Sequence, residues 1–195
     1  MVWDVYWQAM QVGRATLSVG ASEVRSRFST TALARAFAKV KYQLVTTPRS
    51  SREGFTMSGD ASSIQVALDG AHYSFDDGPR LAVPGGTPLH TLHSAIGSVR
   101  AWSGGDAPPA YLWFVLRHTL YRLDVERPTS DEALGRKAIR VHGMARAADQ
   151  SIDPVDITIW LAASPERTPL RFVIVANGER VSAELAESNT ALAIR

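Results

Sequence analysis

Thr87-Pro-Leu-His-Thr-Leu-His-Ser-Ala-Ile-Gly-Ser-Val-Arg-Ala-Trp102 is the one strongly helical stretch in a chain otherwise patterned as short strands between turns. At about 100° per residue, Leu89, Leu92, Ile96 and Val99 fall in a single apolar arc. Ala95 and Trp102 flank one side of that arc and His93 the other. Thr87 suits an N-cap, Pro88 the first helical position, and Gly104-Gly105 the end. Arg100 falls in the last turn, where a cation favours the helix dipole and its long stem can carry the charge to solvent.

Outward from this helix the pattern changes to period two. Asn177-Gly178 predicts a type I′ turn, because both central positions need positive φ. That turn pairs Ile174 with Val181, Phe172 with Ala183 and Leu170 with Leu185 on one apolar face. It sets Arg171 against Glu184 on the other, an opposite-charge cross-strand pair. Asp69-Gly70 predicts a second hairpin over 64–75, pairing Leu68 with Ala71, Val66 with Tyr73 and Ile64 with Phe75. Further alternating runs predict strands at 3–7, 15–19, 24–28, 42–46, 55–57, 81–83, 112–116, 120–125, 138–144 and 157–161. Residues 10–13, 127–135 and 145–155 read as loops. The alanine-rich stretch 31–40, with Leu33 and Phe37 one turn apart, predicts a short second helix.

Magnitudes turn these elements into an architecture. About ten strands at about 4.8 Å spacing make a flat sheet roughly 45 Å wide. The helix is about 24 Å long and about 10 Å across, enough to cover a third of one face. The sheet must curl around the helix as an incomplete antiparallel β-barrel, and leftover concave surface needs large side chains, a ligand or a partner. The fold class expected is mainly β (α+β), one domain of 195 residues.

Composition narrows the chemistry. Net charge is +2 and the arginines are scattered, with no basic stripe interleaved with aromatics, so nucleic-acid binding is not expected. There is no cysteine, which removes disulfides, thiolate zinc sites and cysteine nucleophiles. No apolar run is long enough to span a membrane. Strand residues follow Met1 directly, with no leader, as expected either of a leaderless cytosolic protein or, the preferred reading, of a mature fragment given a start methionine.

Catalytic motifs are not found: no Gly-x-Ser-x-Gly elbow, P-loop, dinucleotide fingerprint or His-Glu-x-x-His. His90 and His93, three apart, could approach one metal ion, but zinc needs a third protein ligand that nothing nearby supplies. His72, His118 and His142 read as surface residues. Asp76-Asp77 and the acids of 149–156 read as turn formers. No cofactor is expected. The sharper signal is Tyr111–Leu116, apolar at every position. If Leu112, Phe114 and Leu116 face the core, then Tyr111, Trp113 and Val115 face a second cover or an exposed partner-binding strip. Trp160 poses the same question against Ile157, Ile159 and Leu161.

Several motifs carry a family resemblance in order along the chain. They are Val5-Tyr6-Trp7 with Val12-Gly13-Arg14-Ala15-Thr16-Leu17, then Thr87-Pro88-Leu89-His90-Thr91-Leu92, then Ile157-Thr158-Ile159-Trp160-Leu161, Thr168-Pro169-Leu170-Arg171 and Val181-Ser182-Ala183-Glu184-Leu185. The chain resembles a bacterial envelope family catalogued as domain of unknown function 3108, itself similar to the lipoprotein-carrier fold, in which an incomplete barrel wraps helices and shelters acyl chains. The resemblance implies a periplasmic protein, exported or anchored through a removed N-terminal segment, and no catalytic residues.

Two functional expectations follow. The first is a non-enzymatic periplasmic protein that binds a lipid or acyl chain between helix and sheet, with Leu89, Leu92, Ile96 and Val99 facing Phe172, Ile174 and Val181. The alternative is an envelope protein-interaction or assembly subunit with a filled core, recruiting its partner through Tyr111, Trp113 and Val115.

Overall fold

Positive-φ turns and period-two alternation build almost the whole chain into one sheet. The structure, a computed structural model, describes residues 1–36, 38–103 and 111–186. The first arm runs β1 (Val2–Trp7), β2 (Met10–Val19), β3 (Val24–Thr30), β4 (Val40–Thr47), β5 (Ser50–Met57), β6 (Asp60–Asp69), β7 (His72–Phe75) and β8 (Leu81–Ala82). Then come β9 (Leu89–Thr91) and the helix α1 (Leu92–Trp102). The second arm runs β10 (Tyr111–Leu116), β11 (Thr119–Val125), β12 (Thr129–Ala133), β13 (Arg136–Ala147), β14 (Val155–Ala162), β15 (Pro169–Ala176) and β16 (Glu179–Leu185). These form a single sheet in the order β8-β7-β6-β5-β4-β3-β2-β1-β16-β15-β14-β13-β11-β10-β9. Among the described residues, only the β9–β10 pairing is parallel.

The topology itself requires strong curvature. β8 and β9 lie at opposite edges of the sheet, yet only residues 83–88 separate them in the chain. Six residues reach about 20 Å at most, whereas fifteen strands laid flat are about 65–70 Å wide. The edges are therefore brought together. Leu89 donates its N–H to the Gly70 carbonyl at 3.3 Å, and Val66, Tyr73 and Val83 pack with Leu89, Trp113, Val115 and Leu120. No ladder joins β8 to β9, so this is a packed seam in a curved sheet that stays open as a barrel.

The helix is shorter than its sequence pattern. Thr91, not Thr87, is the N-cap: its hydroxyl accepts the Ser94 N–H at 3.2 Å, and the Ser94 hydroxyl accepts the Thr91 N–H at 2.9 Å. This reciprocal capping box satisfies two otherwise orphaned donors. Upstream, Leu89–Thr91 pairs with Trp113–Val115 of β10. The eleven residues of α1 span about 16 Å, so even more of the sheet is left uncovered. Ala95 and Val99 pack on Leu112, Phe114, Leu123, Val141, Ala145, Ile159 and Leu161, the second arm only. No helix among the described residues is long and apolar enough to cross a membrane.

The 177–178 hairpin forms in the expected register, with Ile174 opposite Val181, Phe172 opposite Ala183, and Arg171 opposite Glu184 at 3.2 Å. Asn177 and Gly178 both have positive φ. Leu170 sits at a bulge against β14, where Arg171 faces Trp160 and Pro169 faces Leu161, and it packs with Ala133 and Ala138 in a cluster that Leu185 joins. The other hairpin turns one residue later than expected, at Gly70-Ala71. Its pairs are Asp69 with His72, Leu68 with Tyr73 and Val66 with Phe75. Gly70 at the first turn position with positive φ suits a type II′ turn. The two-residue slip keeps every side chain on its expected face.

Other expectations change too. Met10–Gly13 is strand rather than loop, because Gln8 and Ala9 make the turn with positive φ. The stretch 127–135 holds β12, which is polar at four of five positions and so hid from an apolar pattern. The second helix is a short 3-10 turn, Ala34–Ala36. Phe37, Gly104-Gly105 and Pro108-Pro109 lie outside the described residues.

Candidate ligand-binding cavity

The concave face of the first arm is what the helix leaves bare. On β1 the residues Trp3, Val5 and Trp7 alternate onto this face. They are joined by Phe28 of β3, Phe172 of β15 and Val181 of β16. β1 pairs with both β2 and β16, so the N-terminal and C-terminal hairpins share one continuous surface. Trp3 meets Phe172 edge-on, with ring centroids 6.0 Å apart.

At one end of this surface lies a cavity of about 670 Å³, lined by Val5, Trp7, Met10, Val12, Phe28, Thr30, Ala34, Ala38, Val40 and Val181. Thr30 is its one polar side chain. That hydroxyl already accepts the Val40 N–H at 3.2 Å. The cover is the turn around Ala34, held by the Thr31 hydroxyl accepting the Ala34 N–H at 3.3 Å and by an Ala38-to-Ala34 backbone bond at 3.0 Å. Alanine is small, and that leaves the space unfilled. Gly13 is required beneath Phe28: a Cβ there would overlap the ring and stand 2.7 Å from the Ser29 carbonyl. The mouth is rimmed by exposed Trp7, Met10 and Val181, with the Trp7 indole N–H donating to Glu179 at 2.8 Å.

At the other end, between α1 and β1–β3, is a cleft of about 300 Å³. Trp3, Ala15, Leu17, Val24, Leu92, Ile96 and Phe172 form its apolar walls, and Ser26, His93 and Arg100 its polar ones. His93 bridges α1 to the sheet. Its Nδ1 is 2.9 Å from the Thr46 hydroxyl and its Nε2 3.0 Å from the Ser26 hydroxyl. Burial pushes its imidazole down to about 4, so the ring is neutral at neutral pH. Hydroxyls donate or accept as needed, and either tautomer is satisfied.

The expected ligand-binding set is therefore divided. Leu92, Ile96 and Phe172 meet in the smaller cleft, and Val181 lines the larger cavity. Ile174 is exposed opposite Val181. Val99 is buried on the far side of the helix against the second arm. Leu89 is not on the helix at all and is buried in the seam.

The Tyr111, Trp113 and Val115 strip is not open for a partner either. Trp113 and Val115 are buried and Tyr111 half-buried, covered by Val66 and Tyr73 from the opposite edge of the same sheet. Trp160 resolves locally: it donates to Asp131 of β12 at 3.0 Å and lies under the Arg171 guanidinium.

Sequence reasoning missed Trp3, Val5, Trp7, Met10, Val12, Phe28 and Val40 as lining residues. Alternation placed several of them on one face, but nothing local showed that this face was uncovered. His142 is more than a lone surface histidine: Glu126 and Asp156 each approach it at 2.8 Å, and the bond to Asp156 raises its pKa. No group of three or more His, Cys, Asp or Glu among the described residues is arranged so that it could hold a metal ion, the His142 cluster included.

No family model and no curated protein matches this chain. Among solved structures, it is similar to the crystal structure of a beta-barrel-like protein of domain of unknown function DUF1849 from Brucella abortus. That likeness covers 95% of this chain and 94% of the other at a TM-score of 0.65, with 7% sequence identity. At that identity it is the fold that is shared: a beta-barrel-like curved sheet.

Proposed function

We propose that this protein is a non-enzymatic periplasmic binder of a hydrophobic ligand, a lipid or acyl chain held along the bare concave face. One observation carries the reading: the 670 Å³ cavity is apolar on all sides, and its one hydroxyl is already bonded within the protein. Ligand pockets commonly measure about 300–1,000 Å³. Water against such an apolar lining finds few polar partners, so its displacement by an apolar ligand is favourable. The place differs from the sequence expectation. The larger space is between the sheet and the Ala34 turn, and only the smaller cleft lies between sheet and helix.

An acyl chain suits this surface energetically. Each buried methylene contributes about 0.8 kcal/mol, so ten of them contribute about 8 kcal/mol before the cost of association. The periplasmic assignment and the kinship with domain of unknown function 3108 and lipoprotein carriers rest on the motifs quoted above. The barrel-like fold is compatible with them.

The test is native mass spectrometry of gently purified protein, followed by titration with a fluorescent fatty acid. A co-purifying lipid mass and saturable binding are expected. A protein free of lipid that also ignores the probe would end this reading. Cell fractionation checks the compartment, with the protein expected in the periplasmic or envelope fraction.

A further inference from the structure

We infer that the cleft between α1 and β1–β3 receives the head of an anionic single-chain amphiphile, and that Arg100 is the group that meets its charge. This rests on the acyl-ligand reading above and adds the ligand's charge and orientation. Arg100 lines the cleft in the last turn of α1, beside Trp3, Ile96 and Phe172. Its Nε donates to the Arg167 carbonyl at 3.1 Å and its Nη2 to the Glu166 carbonyl at 2.6 Å. Both acceptors are neutral. They fix the guanidinium in place without cancelling its charge.

No carboxylate of the described residues lies within ion-pair distance of Arg100. By contrast Arg14, Arg25, Arg122, Arg146 and Arg171 each pair with one. A guanidinium carries five N–H donors in a rigid fork, so donors remain after the two loop carbonyls are served. Two other basic groups line the cleft: His93, whose nitrogens both face the Ser26 and Thr46 hydroxyls, and the Met1 ammonium, which donates to the Leu17 carbonyl at 2.8 Å. In Arg100 the cleft therefore presents a fixed guanidinium with its planar fork at the edge of an apolar wall, complementary to a carboxylate or phosphate on an alkyl tail.

Strand direction supplies the orientation. Arg100 is tied to the loop before β15, near the start of β1, while the larger cavity sits where β1 ends and β2 begins. Trp3 lines the cleft and Val5 the cavity, two residues apart on one face of β1. With its head on Arg100, a tail runs past Trp3 toward Val5 and Phe28.

The experiment titrates the whole protein, by calorimetry, with lauric acid, methyl laurate and lauryl phosphate. The two anions are expected to bind roughly ten- to a hundredfold more tightly than the ester. Arg100→Gln removes that preference and Arg100→Lys keeps most of it. The stronger of the two anions identifies a fatty-acid or a phospholipid-type head, and either order supports the inference. Equal affinity of acid and ester for the unmodified protein overturns it and leaves the acyl-ligand reading standing. Failure of all three to bind overturns that reading itself. Should Arg100→Gln not fold, added salt replaces it: the advantage of the acid must shrink with ionic strength, and an advantage indifferent to salt overturns the role of Arg100.

Discussion

The Glu53 carboxylate accepts the backbone N–H of Arg117 at 2.6 Å, although β5 and the β10–β11 turn belong to opposite arms of the sheet. Glu53 is 3% exposed and takes a second bond from the Tyr42 hydroxyl at 2.9 Å. Burial, then the neighbouring carboxylate, raises the Tyr42 phenol well above its ordinary value, so it stays a donor. This buried pin holds the curl shut where no ladder does.

Glu53→Ala removes the shared acceptor of two part-buried donors and is expected to cost about 1–3 kcal/mol. Glu53→Gln keeps an acceptor oxygen and should cost less. The shift in urea midpoint at constant slope measures both. Equal losses would mean that the acceptor geometry is unimportant.

Trp113→Ala distinguishes a seam residue from a partner-binding one. Buried against Val66 and Tyr73, the indole leaves a large void when truncated, and a loss of about 3–5 kcal/mol is expected. A truncation tolerated within experimental error would put Trp113 back on an open surface.

His93 contributes an acid-side loss of stability. Its folded value is about 4, below the unfolded value of about 6.5. Between those limits the unfolded chain binds the extra proton, so stability is complete above the window and falls as pH drops through it. The loss is on the order of 1–2 kcal/mol once partial solvent access is allowed for. His90, also lowered by burial, acts in the same direction. His142, raised by Asp156 and Glu126, acts oppositely, losing its contribution as pH rises through its folded value. Denaturation midpoints across this range should therefore slope less in His93→Gln than in the unmodified protein.

Val12→Phe fills the larger cavity from one of its walls. Fluorescent fatty-acid affinity is expected to fall at least about tenfold, with thermal stability held or raised because the void shrinks. Unaltered affinity would place the acyl chain elsewhere.

Local rules were readable directly from the residues. The positive φ of Asn177-Gly178, the Arg171–Glu184 pair and the shared face of Phe172, Ile174 and Val181 depend on a few neighbours and on the two-residue period of a strand. Even the slipped register at Gly70 kept its faces. A helix too small for its sheet was also legible, and the true helix is smaller still.

Long-range closure was not legible. Each strand adds a modest twist relative to its neighbour, and only the sum over all of them brings β5 and β6 against β10. No short window of residues carries that sum. It is why the strand pattern left a second cover and an exposed strip both open for Trp113 and Val115, which are buried, and why Leu89 belongs to a seam. For the same reason the main cavity opened beneath Ala34 rather than beneath the helix.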